Sequence, residues 1–148
     1  MIVARVPPVP NRPRSRRLAA AVVEFALIAP FLAVFVGGMS EIGRAIMVRE
    51  VLNDAVRKGC RKGVLPNRTT TDITNDVTNI LNDNSIPTTN VVITILVNGQ
   101  AVDASTAVKG DQISLKVSVP FADVSWTPPI YLTGYALESV TLVMQREG

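Results

Sequence analysis

A single carboxylate, Glu24, stands inside residues 18–39, LAAAVVEFALIAPFLAVFVGGM, a run otherwise built of apolar and small side chains. An acid in such company either stays protonated, snorkels to the nearest water, or meets a cation that another molecule supplies. At a helical rise of about 1.5 Å per residue it lies about 9 Å into the run, so its cost should fall below the roughly 2.5–3.5 kcal/mol of a mid-span charge. Conventional reaction chemistry is scarce elsewhere. The sequence has no histidine and one cysteine, Cys60. Within one chain this excludes zinc sites of the common Cys and His kinds, a Ser-His-Asp triad and a disulfide framework. Asp72, Asp76 and Asp83 recur along a polar helix face with no convergent nucleophile or base. We therefore expect no enzyme, no metal, no cofactor and no small-molecule substrate.

The element that positions Glu24 is a membrane span. As a helix, residues 18–39 match a hydrocarbon core of roughly 30 Å, and Arg16-Arg17 and Ser40-Glu41 bound them with polar groups. Residues 1–17 hold four prolines and five arginines and read as a flexible cytoplasmic leader or tail. By the positive-inside rule those arginines keep the N-terminus in the cytoplasm, against Arg44, Arg49 and Arg57 near the other end. Of fifteen basic residues the leader takes five, which leaves ten against twelve acids in the rest. The basic balance thus belongs to the leader, and the folded part offers no clustered cationic surface for nucleic acid. A cleaved secretory signal is the rival reading, but its apolar part is about 7–15 residues long.

Beyond the span the helical pattern continues to about residue 62, with Ile42, Ala45, Ile46, Leu52, Ala55, Val56, Gly59 and Cys60 as an apolar stripe. Pro30 can kink the helix within the span, and Gly63 and Pro66 supply its stop. Ile73, Val77, Ile80 and Leu81 predict a second, short helix over residues 72–82. The period then changes to two. Residues 91–97 predict a strand, Asn98-Gly99 a tight hairpin, and residues 100–102 a brief return strand. Ile113, Leu115, Val117 and Val119 alternate with polar residues in a further strand that Pro120 ends. Residues 121–133 read as an ordered loop, and residues 137–145 as a last strand with Val140, Leu142 and Met144 inward. The expected fold is α+β: a long N-terminal helix, transmembrane in its first half, packed on a small antiparallel sheet. Its parts are the leader 1–17, the span 18–39, the extracytoplasmic helix 40–64 and an α+β domain over 65–148.

The order of arginines, Leu18-Ala19-Ala20-Ala21-Val22-Val23-Glu24-Phe25, the proline at Pro30 and the exit Glu41-Ile42-Gly43-Arg44 resembles the TadE-like family. These are minor pilins, or pseudopilins, of the tight-adherence pilus system, related to type IV pili and type II secretion. Ile42 stands where the family has an aromatic residue, and the terminal Met144-Gln145-Arg146-Glu147 is weakly similar to the family's end. The resemblance implies a pilin-like protein of the bacterial inner membrane, whose partners are other pilin subunits and pilus assembly proteins. It also implies a prepilin peptidase that cuts between Ala19 and Ala20, leaving Glu24 as the fifth residue of the mature chain. Ala19 stands where the family usually has glycine, so an uncleaved, single-pass extracytoplasmic binding module is the alternative. In the family's arrangement Glu24, next to Phe25, would pair with the new α-amino group of a neighbouring subunit and set its register.

Other residues carry a plain and a sharper reading. Gly37, Gly38 and Gly43 either ease helix packing within the membrane or loosen the helix. Cys60 is a small core residue or the source of an intermolecular disulfide. Arg57, Lys58, Arg61 and Lys62 form a solvated helix end or a contact for an acidic subunit. Trp126 pins its loop or docks a partner, and Asn67-Arg68-Thr69 matches a glycosylation sequon, a frequent chance match.

Overall fold

The computed structural model describes residues 14–146, with side chains from Leu18 onward. The proline-rich stretch 1–13 and Glu147, part of the C-terminal resemblance, lie outside the described residues. The chain divides into two compact units, at Gly37 and Gly38.

In the first unit the described residues form only helix, the beginning of α1 (Arg14–Gly63). It starts four residues before the expected position. Pro13 is the last proline before Pro30, so nothing in the covalent chain keeps Arg14–Arg17 from helical angles. Pro30 lies inside the helix without ending it. Apolar residues occupy every face here: Leu18, Val22, Phe25, Phe31 and Phe35 are each more than 60 % exposed. A helix apolar on every face and of this length is suited to lipid.

The second unit opens with the rest of α1 and continues through α2 (Thr70–Asp83), β1 (Val92–Val97), β2 (Gln112–Pro120), α3 (Phe121–Val124), β3 (Ala136–Glu138) and β4 (Leu142–Gln145). β2 is the centre of the antiparallel sheet, with β1 on one edge and β3 and β4 in succession on the other. Ile113, Leu115, Val117 and Val119 of β2 face inward, all buried, as their alternation predicts. Against them lie Val48, Leu52, Ala55, Val56 and Cys60 of α1 and Ile73, Val77 and Leu81 of α2. Each element thereby covers the apolar face another leaves open, which gives the α+β layout. α2 starts two residues early because Thr69 and Asp72 form a reciprocal capping box, which fixes its first turn despite the weak helix propensity of its Thr and Asn residues.

Three local expectations are corrected. Ile42 and Ile46 point outward, 57 % and 59 % exposed, and the buried stripe instead runs through Glu41, Ala45, Val48 and Leu52. The return strand over 100–102 is absent. Asn98 and Gly99 do adopt left-handed angles (φ 51° and 79°), and Val97 and Gln100 exchange backbone bonds of 2.9 Å. The chain then leaves for a 3-10 turn, Ala104–Thr106, where Ala104 is buried and its N–H donates to Thr70 Oγ1 at 2.8 Å. The true partner of β1 is β2, whose first N–H, of Gln112, donates to the side chain of Asn98 at 2.9 Å.

The last strand is two. Between the pairs Ser118–Glu138 and Leu115–Leu142, the chain takes four steps against three along β2, a one-residue bulge. Ser139 holds the bulge, its Oγ accepting from Val117 N–H at 2.9 Å, and Val140 N–H donates to Asn53 Oδ1 at 2.9 Å. The extra residue turns Val140 outward, 44 % exposed, while Leu142 and Met144 keep the inward phase, packed against the core. Residues 121–133 begin with one helical turn, α3, which buries Phe121 and Val124.

Gly59 sets the closest approach of α1 to the rest. A Cβ there would lie 2.6 Å from Val77 Cγ2 and 2.9 Å from Leu115 Cδ2. Gly59→Ala should therefore destabilise the folded domain by about 1–3 kcal/mol, the usual cost of overpacking. Gly43→Ala, with nothing within 4 Å of the added carbon, is the control. Chemical denaturation of the full chain in detergent, followed by circular dichroism, should show the first variant unfolding earlier and the second no earlier than the parent.

Candidate functional site

Glu41 is the most constrained polar side chain of the second unit, 4 % exposed although it is an acid. It lies on the buried face because it stands four residues before Ala45 and seven before Val48. Opposite it, the chain after α3 passes through Pro128-Pro129 and turns its next three N–H groups toward the helix. Ile130 N–H donates to Oε1 at 2.6 Å, and Tyr131 and Leu132 N–H donate to Oε2 at 3.0 and 3.1 Å. A buried carboxylate is costly unless its oxygens are met, and three backbone donors meet both. The bond from Ile130, followed by those from Tyr131 and Leu132, holds the carboxyl below the usual glutamate range, against the opposing effect of burial.

Two more contacts fix the same loop to the same helix. Arg44 Nε donates to Val124 O at 2.8 Å, and its guanidinium lies 5.0 Å from the centroid of the Trp126 ring. Gly38, three residues before Glu41, lies under the Tyr131 ring, 3.0 Å from where a Cβ would be. The loop closes on itself through Thr133 Oγ1 to Pro129 O at 2.7 Å and Phe121 N–H to Tyr135 O at 2.8 Å. Ser40, Glu41, Arg44, Phe121, Ser125, Trp126 and Thr127 border a shallow cleft.

The residues singled out from the sequence fall in different places. Ala19, Ala20, Glu24 and Phe25 lie on the exposed surface of α1 in the first unit, and Glu24 makes no hydrogen bond or ion pair with any described residue. Gly37 and Gly43 are open, with nothing within 4 Å of an added Cβ, whereas Gly38 is occupied by Tyr131. Cys60 is fully buried near Ile113 O and Leu142 O, and burial pushes its thiol up to about 11. That is the small-core-residue reading, and no surface thiol is presented.

Several of the remaining charged groups pair within the domain, whereas Arg57, Arg61 and Asp83 are exposed. Asp72 accepts from Thr69 N–H in the capping box, and Asp76 pairs with Lys62 at 3.1 Å and with Arg68. Lys58 pairs with Asp54 on its own helix at 2.7 Å. Among the described residues no group of three or more His, Cys, Asp or Glu is placed to hold a metal. Sequence reasoning takes Glu41 as a polar boundary of the span and misses it as an anchor; its register with Ala45 and Val48 is the signal that marks it.

Residues 19–61 match the family model of the TadE-like protein. The matched segment includes Glu24, Gly37, Gly38, Glu41, Gly43 and Arg44, and ends before α2. It coincides with the part of the chain that contains an apolar helix long enough to cross a bilayer. No significant match is found among curated proteins or among solved structures.

Because the folded state holds the Glu41 carboxyl below its unfolded value, its contribution is complete at neutral pH. It is lost as pH falls through the depressed folded value. Acidification below the ordinary glutamate range should free the loop, seen as lower amide protection factors at residues 130–132 once the slower intrinsic exchange at low pH is divided out. Glu41→Gln should free it at neutral pH, since either amide orientation turns an NH₂ toward a backbone N–H. Exchange at those amides that stays at the parent rate in the variant would remove Glu41 as the anchor.

Proposed function

We propose that the protein is a structural, non-enzymatic minor pilin or pseudopilin that takes part in assembling a tight-adherence-type pilus or a related secretion apparatus. The observation that carries this reading is the coincidence of the TadE-like match over residues 19–61 with a helix long and apolar enough to cross a membrane. In this reading residues 1–17 stay in the cytoplasm and residues 18–39 cross the bacterial inner membrane. Residues 40–64 and the domain over 65–148 lie outside, an orientation supported by the arginine bias of the leader.

Glu24 supplies the axial register. A carboxylate in lipid with no partner among the described residues is stabilised by a cation from a neighbour. Cutting between Ala19 and Ala20 creates that cation as a new α-amino group, and Phe25 lies beside it on the helix surface. Lateral contacts fall to the exposed Met39, Ile42 and Ile46, at spacings of three and four, and to the open backbone at Gly37 and Gly43. The partners are then other pilin subunits, pilus assembly proteins and a prepilin peptidase, with neither nucleic acid nor a small-molecule substrate.

A second reading is favoured by one residue, Ala19, whose methyl group stands where the family usually has glycine. Uncut, the protein is a single-pass anchor that presents its small domain to an extracytoplasmic partner. Mass analysis of the mature N-terminus separates the two, since only the pilin reading gives a chain that begins at Ala20. Glu24→Ala and the pair Ile42→Ser with Ile46→Ser should each reduce co-purification with partner pilins while leaving the domain folded. Undiminished co-assembly in all of these variants would contradict the pilin reading.

A further inference from the structure

We propose that the loop over residues 125–135 is a second membrane contact, seated in the headgroup layer of the leaflet from which α1 emerges. The inference rests on the reading of residues 18–39 as a span. From Val124 to Leu137 the chain carries no Asp, Glu, Lys or Arg. Its large side chains are turned outward: Trp126 is 68 %, Ile130 67 %, Tyr131 50 % and Tyr135 63 % exposed. An uncharged segment that presents two tyrosines, a tryptophan and an isoleucine to water is out of place on a soluble surface. At a bilayer boundary the same set is favoured, because each ring has an apolar body and a polar tip.

The anchoring sets the depth. Glu41 stands two residues beyond Met39, the last apolar residue of the span, or about 3 Å along a helix axis. The headgroup layer extends roughly 5–7 Å beyond the hydrocarbon on each side. By holding residues 130–132 on its carboxylate, with Tyr131 against Gly38 in the span's last turn, Glu41 keeps the loop at that level. Charge agrees with a lipid occupant. Arg44, beside Trp126, offers a cation to lipid phosphate, and the charge of Glu41 is directed inward onto three N–H groups. Of the two acids that flank the segment, Asp123 accepts from Asn90 at 3.0 Å and Glu138 pairs with Lys116 at 2.8 Å.

Trp126 is the only tryptophan of the chain, so its emission reports on this loop alone. The test uses the full chain reconstituted in vesicles of phosphatidylethanolamine and phosphatidylglycerol. Emission should lie to the blue of free tryptophan amide, and iodide quenching should be several-fold weaker. A lipid spin label near the carbonyls should quench more than one near the chain ends. Ile130→Ser combined with Tyr135→Ser should restore iodide access and reduce the lipid quenching. Two results overturn the proposal while carbonate-resistant insertion keeps the span: iodide access equal to that of free tryptophan amide, or shielding from iodide without lipid quenching. The second would mean that protein, such as another copy of the chain, covers the loop. A chain extracted by carbonate would overturn the span and the loop contact together.

Discussion

A glutamate carboxylate withdrawn from water and met by three consecutive backbone N–H groups ties the longest loop of the domain to the helix that leaves the apolar segment. Neither side satisfies its polar groups alone. Without the loop the carboxylate would be bare, and without Glu41 the N–H groups after Pro128-Pro129 would be left facing a helix. The neighbouring contacts depend on the same alignment. Tyr131 can lie over Gly38, and Arg44 can reach both Val124 O and the Trp126 ring, only where the loop meets α1 in this register.

Beyond that junction, α1 works against protein. Its buried stripe, through Val48, Leu52, Ala55, Val56 and Cys60, is one wall of the core, and Gly59 lets α2 and β2 come close enough to close it. Before the junction, exposed apolar side chains occupy all faces of the helix. One sequence element therefore obeys two burial rules in turn, a stripe facing a sheet and an all-round surface suited to lipid. The TadE-like match extends over both parts, which supports reading them as one functional unit.

Much of this was legible in residue order. The unbroken apolar run, the switch from helical to alternating period after Pro87, and the strict alternation of β2 each reflect a local rule that tertiary contacts did not override. What escaped were features set by distant partners. Val140 turns outward because a bulge at Ser139 shifts the phase, and a bulge depends on the Asn53 side chain eighty-seven residues earlier. The strand expected after Asn98-Gly99 yields to the burial of Ala104 against Thr70. The outward turn of Ile42 and Ile46 and the burial of Glu41 are one shift of helix phase, in which the spacing set by Val48 and Leu52 overrides local hydrophobicity. Of the candidate site, Glu24 and the glycines were marked by composition, but the loop anchor needed the fold.

The central claim is that α1 changes surroundings at Glu41, from lipid to protein and water. Cysteine-accessibility scanning of the full chain in native membranes tests it directly, because buried Cys60 gives a silent background. Single cysteines at Phe25, Phe31 and Phe35 should resist a membrane-impermeant maleimide, while those at Ile46 and Arg49 should react. Equal labelling at all five positions would contradict the account.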